Sequence, residues 1–326
     1  MPPILTEPLG PVVAGPATGD DRRRAAALSS ILRTLAYFDV FRHPLTSDEV
    51  LAFSCARRPA PSEVEDLLQE LHRDGVIANV GAYWGLRITE ADVRARHEDA
   101  ARAEARMPKA RRMARRIARA PFVRAVFVSG SLSKGRLATD GDIDFFIITA
   151  PGRLWLARTL LIAYKKLFLL NSRRDFCINY FLDTDHLAVE DRNRFTATEV
   201  ITLLGLHGNG TRDAFFRANQ GAYELLPAAS VPHVPEVDAG SEGPKAFWER
   251  VLGGSLGEAL DSWSMVLTWR YWRWKFNDMD PRTFDLALRT RTYVSKHHPR
   301  NFQRRVLDAY HERLRDLALR TRPPLC

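Results

Sequence analysis

Cysteine is scarce in this chain of 326 residues, with only Cys55, Cys177 and Cys326. They lie far apart and show no zinc-ligand spacing. That excludes a disulfide framework and a cysteine-based metal knuckle, and suits a reducing, cytoplasmic setting. Long apolar runs are also missing. A bilayer-spanning helix needs about 18–20 apolar residues, and the nearest candidate, Leu154–Leu170, is interrupted by Arg158, Lys165 and Lys166. It reads as an amphipathic core helix, so no membrane span is expected. The N-terminal stretch MPPILTEPLGPVVAGPATGDD has neither the basic start nor the sustained apolar run of a signal peptide. Residues 1–24 read as a disordered, Pro- and Gly-rich leader. The histidines show no metal spacing, and no internal repeat, P-loop, nucleophile elbow or dinucleotide fingerprint occurs.

Positive charge is unevenly spread. Of a net charge of +9, most sits in residues 102–119, which carry eight Arg or Lys against one Glu. Such a segment can attract nucleic acid or a nucleotide. A solvated helical face is the plainer reading, so nucleic-acid binding through Arg102–Arg119 is possible but not favoured.

Local signals divide the chain. In residues 25–88, Ile31, Leu32 and Leu35 start one helix. Thr46 with Glu49 and Ser62 with Glu65 form capping boxes for two more. Val64, Leu67, Leu68 and Leu71 repeat at helical spacing, and Gly75 marks a C-terminal stop. VIANVGAYWGL then reads as a hairpin turning at Gly81. This pattern resembles a winged helix-turn-helix. Its would-be recognition helix carries Glu63, Glu65, Asp66, Glu70 and Asp74 against Arg73, which opposes phosphate contact. A packing or protein-contact role is preferred, although Arg57 and Arg58 leave DNA open.

Residues 89–120 form a basic helical connector, expected to break at Pro108. Residues 121–226 alternate strand and helix: Phe122–Val128, Ser131–Leu137, Asp142–Thr149, Leu154–Leu170 and Phe176–Leu182. Thr196 and Glu199 are expected to cap a helix carrying Val200, Leu203, Leu204 and His207. Residues 227–244 read as a linker, and 245–326 as a helical subdomain. Five of seven tryptophans lie in Trp248–Trp274. They are expected to pack against the domain with their charges outward, and stacking on a nucleobase is the rival reading.

The most informative stretch is Val128–Thr149, VSGSLSKGRLATDGDIDFFIIT. An apolar strand ends in Ser129-Gly130-Ser131, and a second begins at Asp142-Ile143-Asp144. Alternation points both carboxylates to one side. Two adjacent acids on an apolar strand are costly unless a cation lies between them. Mg²⁺ shares few carboxylates with water and substrate phosphates, so it fits that role. Gly130 lets backbone approach a phosphate, and Lys134 lies one turn further on.

Gly130-Ser131 followed by Asp142-Ile143-Asp144 resembles the signature of the polymerase-β-like nucleotidyltransferases, over roughly residues 122–182. The resemblance implies an α+β fold. A nucleotidyltransferase-type mixed sheet flanked by helices would follow a winged-helix-like domain and precede a helical subdomain. It implies that Gly130, Ser131 and Lys134 hold the triphosphate of an NTP, with ATP the expected donor, and that Asp142 and Asp144 bind Mg²⁺ or Mn²⁺. The family also carries a third acid on a later strand. Here Asn179 aligns with it, and Asp175 has the same parity about 13 Å away. An amide can ligate a metal but cannot take a proton.

The implied function is transfer of a nucleoside monophosphate to a small molecule, protein or RNA acceptor, releasing pyrophosphate. Asn179 motivates the alternative, a catalytically reduced regulator that senses nucleotide and contacts DNA or a protein partner.

Overall fold

A computed structural model of the chain describes residues 19–55, 60–172 and 174–320. The leader's first eighteen residues, Arg57, Arg58 and Cys326 lie outside them. Residues 19–24, expected in the leader, instead open the first helix, α1 (Gly19–Asp39).

The N-terminal unit continues with α2 (Ser47–Ala52) and α3 (Pro61–Arg73). A hairpin follows, β1 (Ala78–Val80) and β2 (Tyr83–Gly85). Thr46 and Glu49 form the expected reciprocal cap on α2, satisfying two backbone N–H groups. The Ser62 and Glu65 box does not form. Ala60 precedes α3, and Pro61 fills its first turn, where the missing N–H costs nothing. Gly75 ends α3 in the left-handed region at φ +69°.

A single helix, α4 (Glu90–Ala118), leads into the second unit, capped reciprocally by Thr89 and Asp92. It runs unbroken through Pro108, contrary to expectation. Pro108 and Glu104, whose carbonyl the proline cannot serve, are both exposed, so water can satisfy that carbonyl.

The second unit is a six-stranded mixed sheet flanked by helices. Its elements are β3 (Val123–Ser129), α5 (Gly130–Ser133), β4 (Asp144–Thr149), α6 (Leu154–Phe168), β5 (Cys177–Asp183), α7 (Arg194–Ile201), β6 (Leu204–His207), α8 (Asn209–Ala218) and α9 (Gln220–Leu225). Two further regions expected as helix differ. Asn193, not Thr196, caps α7. Leu204 and His207, expected on that helix, form β6 antiparallel to β3.

The C-terminal region is expected to be a helical subdomain, and it divides among neighbours. It holds α10 (Gly243–Val251), α11 (Ser255–Lys275), α12 (Pro281–Ala287), β7 (Thr290–Arg291), β8 (Val294–Lys296) and α13 (Phe302–Arg320). Strands β7 and β8 extend the sheet, whose order is β6-β3-β4-β5-β8-β7. β4 and β5 are parallel, and the other neighbouring pairs are antiparallel.

Two cores cover the sheet's faces. Val126, Val128, Phe145 and Ile147 join one, against α4 and α6. Phe127, Phe146 and Ile148 join the other, with Phe215 and Phe216 of α8. This alternation along β4 is that of a strand buried on both sides. Helix α13 instead completes the N-terminal core, where Val306, Tyr310 and Leu314 join Ile31, Leu35 and Leu68. Helices α1 and α13 therefore share one core.

The basic segment of α4 holds the fold together. Arg111 donates to the carbonyls of Pro235 and Glu236, Arg115 to Asp238 and Arg119 to Ala239. Arg106 and Lys109 pair with Asp175. The expected linker at 227–244 is thus pinned along α4, with Val237 buried and its N–H bonded to Leu206.

Candidate active site

One end of the sheet gathers the predicted residues. β3 terminates beside the start of β4, with Ser129 opposite Asp144. Parallel β5 brings Cys177 alongside Asp144. Gly130 follows with φ +70°, a conformation that favours glycine. A Cβ there would stand 2.5 Å from Asp144 Oδ2, so backbone and carboxylate are as close as a glycine allows.

The register between β4 and β5 slips at this end. Phe145 faces Ile178 and Phe146 faces Tyr180, leaving Asn179 as the extra residue of a bulge. Simple alternation along β5 predicts that Asn179 shares a face with Cys177 and Phe181. The bulge breaks that parity, and Ile178 and Phe181 enter the same core. A bulge re-aims one side chain. Here Asn179 Nδ2 donates to Asp144 Oδ1 at 2.6 Å, and Cys177 Sγ donates to Asn179 Oδ1 at 3.1 Å. Asp175 is not at the site, because Arg106 and Lys109 of α4 hold it.

Burial pushes the Asp144 carboxyl up to about 7, reinforced by the charges of Asp142 and Glu199 and opposed by the Cys177 thiol and Lys134. The same surroundings push the Cys177 thiol up to about 12, chiefly through burial and Asp144. Asp142 precedes β4 rather than starting it, in the loop before buried Ile143.

A cavity of about 530 Å³ opens at this end of the sheet. Gly130, Ser131, Lys134, Asp144 and Asn179 all line it, and Asp142 stands outside its lining. Lys134 Nζ bonds to Gly130 O at 2.9 Å and to Glu199 Oε1 at 2.7 Å. Glu199 therefore faces Lys134 and the acids, not a helix start. Its place in the sequence suggested only a cap, so sequence reasoning missed it. Asp191, from the segment before α7, also lines the cavity, as do Lys296 at the end of β8 and His298 just beyond it. Lys296 Nζ bonds to Asp191 Oδ2 at 2.9 Å.

The opposite wall is aromatic. Tyr37, Phe38, Phe41 and Phe53 come from the N-terminal unit, Phe195 from α7 and Phe302 from α13. Arg194 of α7 fastens the two units together, donating to Cys55 Sγ, Thr34 Oγ1 and Phe53 O.

Asp144, Asp142 and Glu199 concentrate negative charge that a cation would relieve, and Asp142 with Asp144 is the kind of sparse carboxylate set Mg²⁺ uses alongside substrate phosphates. Among the described residues, no three His, Cys, Asp or Glu side chains cluster as a metal cage. Among the described residues, no helix is long and apolar enough to cross a membrane. Comparison with family models, curated proteins and solved structures gives no match.

Proposed function

We propose that this protein is a Mg²⁺-dependent nucleotidyltransferase that moves a nucleoside monophosphate from an NTP, with ATP the expected donor, to a small acceptor. The observation that carries the reading is the convergence of the Gly130–Ser131 turn with Asp144 and Lys134 at the mouth of one cavity. The order α1-α2-α3-β1-β2 supports a winged-helix reading of the N-terminal unit, here used as a cavity wall.

Asp142 and Asp144 would hold Mg²⁺, which would neutralise charge on the phosphate oxygens. The exposed Ser131 and the Cβ-free Gly130 would receive the triphosphate, and Lys134 would exchange Glu199 for a phosphate oxygen. An acceptor oxygen bonds to the α-phosphorus as the bond to the bridging oxygen breaks and pyrophosphate leaves. Glu199, released by Lys134, would take the acceptor's proton. The aromatic wall and the commitment of the α4 arginines to backbone carbonyls favour a small acceptor over an RNA end.

The test is incubation with each α-³²P nucleoside triphosphate, Mg²⁺ and cell extract, comparing the wild type with Asp142→Asn/Asp144→Asn. The reading expects label on an acceptor with the wild type only. Equal transfer by the variant refutes it. A second reading, a nucleotide-sensing regulator, draws support from Asn179 in the bulge, where an amide cannot take a proton. It expects Mg²⁺-dependent binding with no transfer across all acceptor fractions.

A further inference from the structure

The exposed large apolar side chains are concentrated on two consecutive helices, α10 and α11. Trp263, Leu267 and Trp274 of α11 are 68%, 52% and 74% exposed, and Phe247 and Trp248 of α10 are more than half exposed. The expected burial of this tryptophan cluster holds only for Trp272. Helix α11 meets the rest of the molecule along a narrow stripe. Gly257, Asp261 and Trp272 are buried, and Met265 packs against the core. Asp261 accepts the N–H of Leu156 at 2.8 Å, and Trp272 meets Trp155 edge-on.

The other side of α11 carries a second stripe with no partner among the described residues. Leu256, Leu260, Trp263, Leu267, Arg270 and Trp274 are spaced 4-3-4-3-4, and all are exposed. Ala259 and Val266 lie between them. Apolar residues alternating at three and four positions form the seam by which one helix packs on another. A helix needs one such stripe to sit on its own domain, and α11 already has it.

We propose that this outward face of α11 is a self-association surface on which two copies of the chain pair antiparallel about a two-fold axis. The order of side-chain sizes along the seam selects this occupant. With the axis at its centre, Trp263 of each copy meets Leu267 of the other, Trp274 meets Leu256, and Arg270 meets Leu260. Each large residue then faces a leucine, and a C2 interface repeats each contact twice. A parallel pair would stack Trp263 on itself, Trp274 on itself and Arg270 against Arg270. Arg270 can lay its stem along Leu260 and keep its charge at the rim.

Area agrees with this occupant. An aromatic side chain carries about 150–250 Å², so the exposed seam side chains offer on the order of 600 Å² per copy. That approaches the roughly 800 Å² per partner of a stable interface and stands at the top of the range for the largest patch on a monomer, about 300–600 Å². An anionic membrane would call for a row of cations beside the apolar face. The seam itself offers Arg270; Arg273 is placed over the Phe284 ring, 4.9 Å from its centroid, and Lys275 over the Tyr271 and Phe276 rings at 5.7 and 5.5 Å.

The test is the mass of the full chain in solution, by light scattering or sedimentation, up to about 100 µM, where an interface of this class is saturated. A dimer is expected. The exposed-site variant Trp263→Glu/Leu267→Glu should be monomeric with an unchanged far-UV spectrum. Under mild oxidation, Leu256→Cys/Trp274→Cys should form linked dimers well above the wild-type background, and Leu256→Cys alone should not. A monomeric wild type at that concentration, alone or bound to vesicles of anionic lipid, overturns the proposal. Linkage by Leu256→Cys alone overturns the antiparallel arrangement, and a dimer that survives both glutamates overturns the surface.

Discussion

Asn179 Nδ2 donates to Asp144 Oδ1 at 2.6 Å, from the extra residue of the bulge between β4 and β5. On the proposed reading a third carboxylate would stand here, and the amide avoids an electrostatic problem. Asp144 is half-buried beside Asp142 and Glu199, and a third negative charge would add to their repulsion. Asn179→Asp should therefore lower the thermal midpoint at pH 8 without metal. Mg²⁺ with nucleotide should restore most of the loss if the site binds them. Differential scanning fluorimetry with and without Mg²⁺ and ATP measures both effects.

Asp144 itself should cost stability when ionised. Its folded-state value of about 7 lies above the ordinary range near 4. The folded state thus holds its proton longer than the unfolded chain, and stability falls as pH rises from about 4 through about 7. Asp144→Asn removes that loss. It should raise Tm by a few degrees at pH 8, leave it nearly unchanged at pH 4, and abolish Mg²⁺-dependent nucleotide binding.

Gly130→Ala tests the tightness of the turn. The new Cβ would meet the Asp144 carboxylate at 2.5 Å from a backbone held at φ +70°. A loss of about 1–3 kcal/mol in denaturant unfolding is expected, together with weaker nucleotide binding. Gly135→Ala, also at positive φ but with open space around its Cβ position, should cost less.

His298, in the cavity wall, is pushed down to about 4 by burial and Lys296. A histidine with a depressed folded-state value must take up its proton on unfolding. Its contribution to stability is therefore complete above about 6.5 and is lost as pH falls towards 4. His298→Gln should flatten the acid limb of a Tm-against-pH curve between those limits.

Arg111, Arg115 and Arg119 hold residues 235–239 through backbone carbonyls. Replacing all three with alanine should destabilise the chain by about 1–3 kcal/mol and expose the 227–244 segment to limited proteolysis. RNA retention by the full chain should be weak and unchanged by the replacement.

Local features were legible in the sequence where neighbouring residues decide them. Gly130, the apolar run Phe145–Ile148 and the Thr46–Glu49 box each depend on neighbours a few residues away. What it hid depends on partners far along the chain. Leu204–His207 is too short an apolar run to tell strand from helix, and pairing with β3 decides it. The bulge at Asn179 defeats parity counting. Glu199 reads as a cap until Lys134 is found opposite it. The α4 arginines look like a free basic face until a segment more than a hundred residues later lies across them. Pro108 signals a break, yet it faces water, where its missing bond can be replaced.

The most direct measurement of the central claim is calorimetric titration of the wild-type protein with ATP and each other NTP, with and without Mg²⁺, beside Asp142→Asn/Asp144→Asn. The account predicts saturable binding of at least one triphosphate, dependent on Mg²⁺ and weakened at least about tenfold in the variant, a change of roughly 1.4 kcal/mol. Absence of binding for every triphosphate, or binding that is indifferent to both Mg²⁺ and the two aspartates, would contradict it.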